Sequence, residues 1–149
     1  MADKTQWNRW LALLGIRLIV GLLSAQLAIH KIFIEGLDAQ MRWFEVLDAW
    51  LPWWLLWATN IYAAAVELCG GALLVVGFKR DWALWAILSV LVIVCFGHGL
   101  EAAVWDIQQL VFRLAMVVTL LILPAEWDWL RLDNLAAMRR TPSSGPEAR

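Results

Sequence analysis

Four long apolar runs dominate the chain and set most of what it can become. They cover about Trp7–Phe33, Leu51–Phe78, Trp82–Leu100 and Leu110–Pro124. A helix rises 1.5 Å per residue, so a hydrocarbon core of about 30 Å needs about 20 helical residues. The first three runs reach or approach that length, and the fourth does so when Ile107, Gln108 and Gln109 begin it. Alternating segments of the kind that build membrane β-barrels are missing. The first run is too long for a signal peptide, contains Arg17 and is followed by no A-x-A site, so it reads as a retained helix.

Composition closes off the alternatives. Apolar residues make up 62% and charged residues 17% of the chain, against roughly 45–50% and about 25% in a soluble domain. A single domain of 149 residues cannot hide that much apolar surface from water, and a disordered chain would be far more polar. The net charge of −1 and the lack of a basic block argue against a nucleic-acid partner. Twelve Trp exceed what one small core needs and suit membrane–water interfaces, where the indole has one apolar and one wet edge. Cys69 and Cys95 sit in apolar runs without metal-ligand spacing and read as packing residues.

The expected fold is therefore all-α, a four-helix transmembrane bundle over residues 1–125. A cytoplasmic amphipathic segment and a loose tail follow over 126–149. Lys and Arg concentrate at the N-terminus (Lys4, Arg9), between the second and third runs (Lys79, Arg80) and in the tail (Arg131, Arg139, Arg140, Arg149), which puts both termini in the cytoplasm. In the first outer loop Leu37, Met41, Phe44 and Leu47 recur at helical spacing opposite Asp38, Arg42, Glu45 and Asp48, predicting a short amphipathic interfacial helix. Pro124 ends the fourth run. Trp127, Trp129, Leu130, Leu135 and Met138 predict a second such helix, and Thr141–Arg149 is a loose tail.

Charges inside apolar helices cost roughly 2.5–3.5 kcal/mol each on insertion scales, so they are the informative residues. Counted from the edges of their own runs, Arg17, Glu67 and Arg113 all lie ~16 Å deep, which predicts one Arg–Glu–Arg cluster. It is either an ion triad that fixes helix packing or an anion or quinone-headgroup site with one positive charge over. Asn60, Tyr62 and His98 form a second polar level nearer the outer side, and a slot reached past Trp53, Trp54 and Trp57 would suit a quinone. A haem between His30 and His98 is disfavoured, since their depths differ by ~10 Å. Asn60, Ala64, Glu67 and Gly71 share one face of the second helix, as do Arg17, Gly21 and Ser24 on the first, and these two faces are expected to pack together.

These residues carry a family resemblance. Ile16-Arg17-Leu18, Gly21 and Lys31 on the first helix, and the stretch Val66–Arg80 with Glu67, Gly70, Gly71, Gly77 and Arg80, resemble the DoxX family of small four-helix membrane proteins. His98 falls where that family often has a histidine. The resemblance implies likeness to the small membrane subunit of a thiosulfate:quinone oxidoreductase, and to members associated with redox-stress or maturation complexes. It implies roles for Arg17, Glu67 and His98, a quinone as the cofactor chemistry, and a bacterial inner membrane as the location. The partners to expect are the lipid bilayer, other membrane or redox subunits, and further copies of the chain. Two other functions stay open: a non-enzymatic anchoring or assembly subunit, and a small transporter. Nothing in the sequence supplies a nucleophile, a metal cage or a nucleotide motif.

Overall fold

The structure is a computed structural model that describes residues 3–101 and 108–134. Five α-helices appear among them: α1 Lys4–Ile29, α2 Leu37–Met41, α3 Trp53–Val76, α4 Arg80–Glu101 and α5 Gln108–Ile122. No strand occurs among the described residues. Three helical stretches are long and apolar enough to cross a membrane: Lys4–Glu35, Trp53–Val76 and Arg80–Leu100. The fourth apolar helix, Leu110–Ile122, falls short of that length among the described residues.

Local sequence accounts for the helix limits. Pro52 precedes α3 with an extended backbone, as suits a residue whose ring excludes it from a helix interior. Gly77 closes α3 in the left-handed region at φ 70°. The N–H groups of Gly77 and Phe78 donate to Leu74 and Leu73 at 3.1 and 3.0 Å, the paired bonds of a Schellman cap. Beyond Ile29 the first helix continues as a π-helical stretch, His30–Glu35, which ends at Gly36 with φ 83°.

Small residues determine how α1 meets α3, the most extensive helix pairing in the structure. A Cβ on Gly71 would stand 2.7 Å from the Ala25 nitrogen and the Gly21 oxygen, and one on Gly21 would stand 2.9 Å from the Gly71 oxygen. Backbones this close require glycine on both sides. The expected faces do pack together: Arg17, Gly21 and Ser24 are buried on α1, and Asn60, Ala64, Glu67 and Gly71 on α3. The two helices run antiparallel, with Arg17 beside Gly77 and Lys31 beside Glu67.

The main core joins Leu13, Val20, Leu74, Leu84, Ile87, Leu91, Val117 and Leu120 of four helices. At one end of the bundle, here the turn end, lie the start of α1, the α3–α4 turn and the segment after Pro124. At the opposite, loop end, Met41 and Leu47 pack on Leu56 with Phe44 and Leu100. The amphipathic pattern of that loop is realised, with Asp38, Arg42, Glu45 and Asp48 exposed. The helix itself changes type midway: α2 gives way to a 3-10 stretch over Arg42–Ala49. The segment after Pro124 opens with one 3-10 turn, Ala125–Trp127, and turns helical again over 132–134. The rest of the expected second amphipathic helix, with Leu135 and Met138, and the tail lie outside the described residues.

Only 28–39% of each candidate span is buried within the bundle. The outward side chains are apolar, among them Ile19 and Leu22 on α1, Val92 and Phe96 on α4, and Phe112 and Ile122 on α5. Trp residues gather at the two ends. Trp43, Trp50, Trp53 and Trp54 are exposed at the loop end, and Trp7, Trp82, Trp85, Trp127 and Trp129 at the turn end. An apolar girdle between two aromatic belts is what a bilayer selects.

Candidate functional site

The buried and half-buried charges form two centres rather than the single one expected from depth. The first surrounds Glu67, whose side chain is 5% exposed. Lys31 donates to Glu67 Oε2 at 2.7 Å, and Arg113 Nη1 faces Oε1 at 3.8 Å. One carboxylate on α3 thus draws in a cation from the π-helical end of α1 and another from α5. The Glu67–Arg113 half of the expected cluster is present, and Lys31 stands where Arg17 was expected.

Arg17 belongs to the second centre, at the turn end. Its Nη1 lies 3.6 Å from Asp128 Oδ2, and its Nη2 donates to the Leu130 carbonyl at 2.6 Å. Arg80 approaches the same carboxylate, with Nε 3.8 Å from Asp128 Oδ2, and its Nη2 donates to the carbonyls of Leu120 and Leu123. Arg17, Arg80 and Asp128 are all 1% exposed or less.

The separation of Arg17 from Glu67 is a matter of register. A depth counted from the start of the first apolar run assumes that all helices begin at one level. In the structure, α1 overhangs α3 at the turn end. Arg17 therefore sits beside Gly77, ten residues and ~15 Å along α3 from Glu67. The overhanging N-terminal part of α1 is covered by the segment after Pro124: Trp129 stacks on Trp10 at 5.4 Å, and Arg9 lies 5.0 Å over the Trp127 ring.

Among the described residues, Asn60 and Tyr62 of the expected second polar level bond to groups other than these charges. Asn60 is buried and donates to the Leu37 carbonyl at 3.3 Å, tying α3 to the loop. The Tyr62 hydroxyl pairs with Ser89 Oγ at 2.7 Å on the outside of the α3–α4 seam. His98 is exposed near the end of α4. His30 faces Glu35 at 3.7 Å, and both are exposed. Among the described residues no group of three His, Cys, Asp or Glu is close enough together to hold a metal ion.

Three members of the two centres were not singled out as site residues by sequence reasoning. Lys31 reads as an outer-side cation near the end of the first helix, and the π-helical stretch His30–Glu35 brings it onto Glu67. Arg80 reads as a topology marker. Asp128 is one acid among tryptophans after a helix-ending proline, and nothing nearby in sequence reveals its partners.

The family model named DoxX matches residues 12–100. The chain belongs to the DoxX family. The match spans α1 to α4 and includes Arg17, Lys31, Glu67, Arg80 and His98. Arg113 and Asp128 lie beyond it, so each charge centre of this DoxX chain combines residues inside the matched region with one outside. No curated protein and no solved structure is similar enough to the chain to count as a match.

Proposed function

We propose that this DoxX protein is a subunit of a quinone-linked redox complex in a bacterial inner membrane, and that its Lys31–Glu67–Arg113 centre receives the quinone headgroup. It spans the bilayer four times with α5 as the fourth crossing. Both termini are cytoplasmic, and residues 37–49 lie in the outer interface.

One observation carries this reading. Glu67 is nearly fully buried within a candidate span, while its two cations each keep 19% of their side-chain surface exposed. Two cations against one carboxylate leave a positive charge over, and a ligand that shares it offsets the cost of keeping it within a span. Arg113 faces Glu67 at 3.8 Å, beyond hydrogen-bond distance, which leaves guanidinium N–H groups for an outside acceptor. A quinone carbonyl accepts such bonds while its isoprenoid tail lies along the apolar girdle. Electrons reach the headgroup from a partner subunit, and the protein supplies position and charge. The likeness of the family to a thiosulfate:quinone oxidoreductase subunit supports the same chemistry.

A second reading, an anchoring or assembly subunit without redox chemistry, is favoured by the other centre. Arg17, Arg80 and Asp128 are fully buried and tie α1 and α4 to the segment after Pro124, as a packing device would. Purification of the full chain in mild detergent, with mass spectrometry of what accompanies it, separates the two. The redox reading expects a quinone and a redox protein in near-stoichiometric amounts. A partner without redox groups and no quinone would support the anchoring reading instead.

A further inference from the structure

The second charge centre is underbonded in a specific way. Each guanidinium is held from one side by backbone carbonyls, Arg17 by Leu130 and Arg80 by Leu120 and Leu123. Nε and Nη1 of both arginines, and both carboxylate oxygens of Asp128, are buried without a hydrogen-bond partner among the described residues. Asp128 Oδ2 stands 3.6 Å from Arg17 Nη1 and 3.8 Å from Arg80 Nε. That is close enough to neutralise one positive charge and too far to hydrogen-bond to either.

The reason is geometric. A carboxylate offers two oxygens about one carbon on a short stem, and Asp128 is suspended between two guanidiniums from different helices. The same oxygen, Oδ2, approaches both, and Oδ1 is buried without a hydrogen-bond partner among the described residues. A group with three or four oxygens about a central atom spans both, and guanidinium forks suit that shape bidentately. The buried charge count agrees: two arginines face Asp128, Asp81 lies 4.0 Å from Arg80 Nε but is 60% exposed to solvent, and Arg131 and Asp133, the nearby groups that also act on Arg17, oppose each other. Asp128 moreover arrives on an irregular stretch, between the 3-10 turn at Ala125–Trp127 and the helical residues 132–134. Its withdrawal breaks no helix.

We propose that Arg17 and Arg80 form an oxyanion seat in which Asp128 is the resident ligand, and that a phosphate group takes the seat when Asp128 withdraws. Arg17, Arg80 and Asp128 are 1% exposed or less, so the seat opens only as Asp128 withdraws, at the turn end of the bundle, where the phosphate comes either from the headgroup of an anionic phospholipid or from solution.

The test uses full-length protein in phosphatidylcholine nanodiscs and follows thermal unfolding by Trp fluorescence. Asp128→Ala and Asp128→Asn are compared with the parent in inorganic phosphate and in sodium chloride of equal ionic strength. The seat predicts a lower midpoint for both variants and a saturable recovery in phosphate that chloride does not give. Recovery in phosphatidylglycerol nanodiscs without added phosphate identifies the lipid headgroup as the source, and recovery with phosphate alone identifies a soluble oxyanion. If phosphate and phosphatidylglycerol shift the variants no more than chloride does, the seat does not exist and the centre is a packing device. Should neither variant accumulate, the parent is digested with trypsin. Phosphate-dependent cleavage after Arg131 then supports displacement of Asp128, and cleavage indifferent to phosphate overturns it.

Discussion

Glu67 is the carboxylate on which the intramembrane centre depends, and Glu67→Ala is the most direct way to measure it. Removal of one partner from a buried ion pair costs about 3–5 kcal/mol, mostly because the remaining charge is left uncompensated. Here two cations are left, Lys31 at 2.7 Å and Arg113 at 3.8 Å. Each is still 19% exposed, so long side chains can swing toward water. That places the cost at the lower end, ~3 kcal/mol. At about 2–4 °C per kcal/mol for a chain of this size, the melting midpoint should fall by ~6–12 °C. Glu67→Gln keeps the shape and an amide oxygen that still accepts from Lys31, so its loss should be ~1–2 kcal/mol. The assay is thermal unfolding in mild detergent of the parent, both variants, Lys31→Met and the double variant Glu67→Ala/Lys31→Met. A pairing energy above about 0.5 kcal/mol is expected from the cycle. If Glu67→Ala melts with the parent and the cycle shows no coupling, the reasoning about this centre is wrong.

Further expectations concern the fold that holds the two centres in place. Gly71→Ala should cost ~1–3 kcal/mol by overpacking, toward the upper end because its new methyl meets the backbone of Gly21 and Ala25; an unchanged midpoint would mean that the close approach of α1 and α3 is not real. Gly77→Ala should lose ~1–2 kcal/mol from a left-handed φ of 70° alone, and more because the methyl would run into Arg17 Nη1 and the Arg131 backbone. A substitution there that is neutral in thermal unfolding contradicts both the cap and the placement of Arg17. Reporter fusions after Arg80 and after Arg140 should both be active in the cytoplasm, and a periplasmic signal from either would refute the proposed orientation.

Helix positions were legible in the sequence because a bilayer-length apolar run leaves few choices. The second run, Leu51–Phe78, became Trp53–Val76, and the third, Trp82–Leu100, became Arg80–Glu101. The α1–α3 contact was also legible, since the spacing of Gly21, Ser24, Glu67 and Gly71 defines two faces able to approach closely. Register was not. Depth counted from the edge of a run carries no information about how far one helix overhangs another, so Arg17 and Glu67 were set at one level although ~15 Å of helix separates them. The π-helical stretch was also invisible, and with it the inward turn of Lys31. Asp128 could not have been matched to its arginines at all: 48 residues separate it from Arg80 and 111 from Arg17, and only tertiary packing brings them together.

The central claim, that the Lys31–Glu67–Arg113 centre holds a ligand rather than only helices, is tested most directly by titrating a soluble quinone analogue while following Trp fluorescence. The decisive variant is Arg113→Gln. It removes the surplus cation but leaves Glu67 paired with Lys31 at 2.7 Å, so the bundle should stay folded with its midpoint nearly unchanged. The account predicts saturable quenching in the parent and at least about tenfold weaker binding in Arg113→Gln, equivalent to ~1.4 kcal/mol. Quenching that rises linearly with the analogue and is the same in both proteins would mean simple partitioning into detergent, and would contradict the claim.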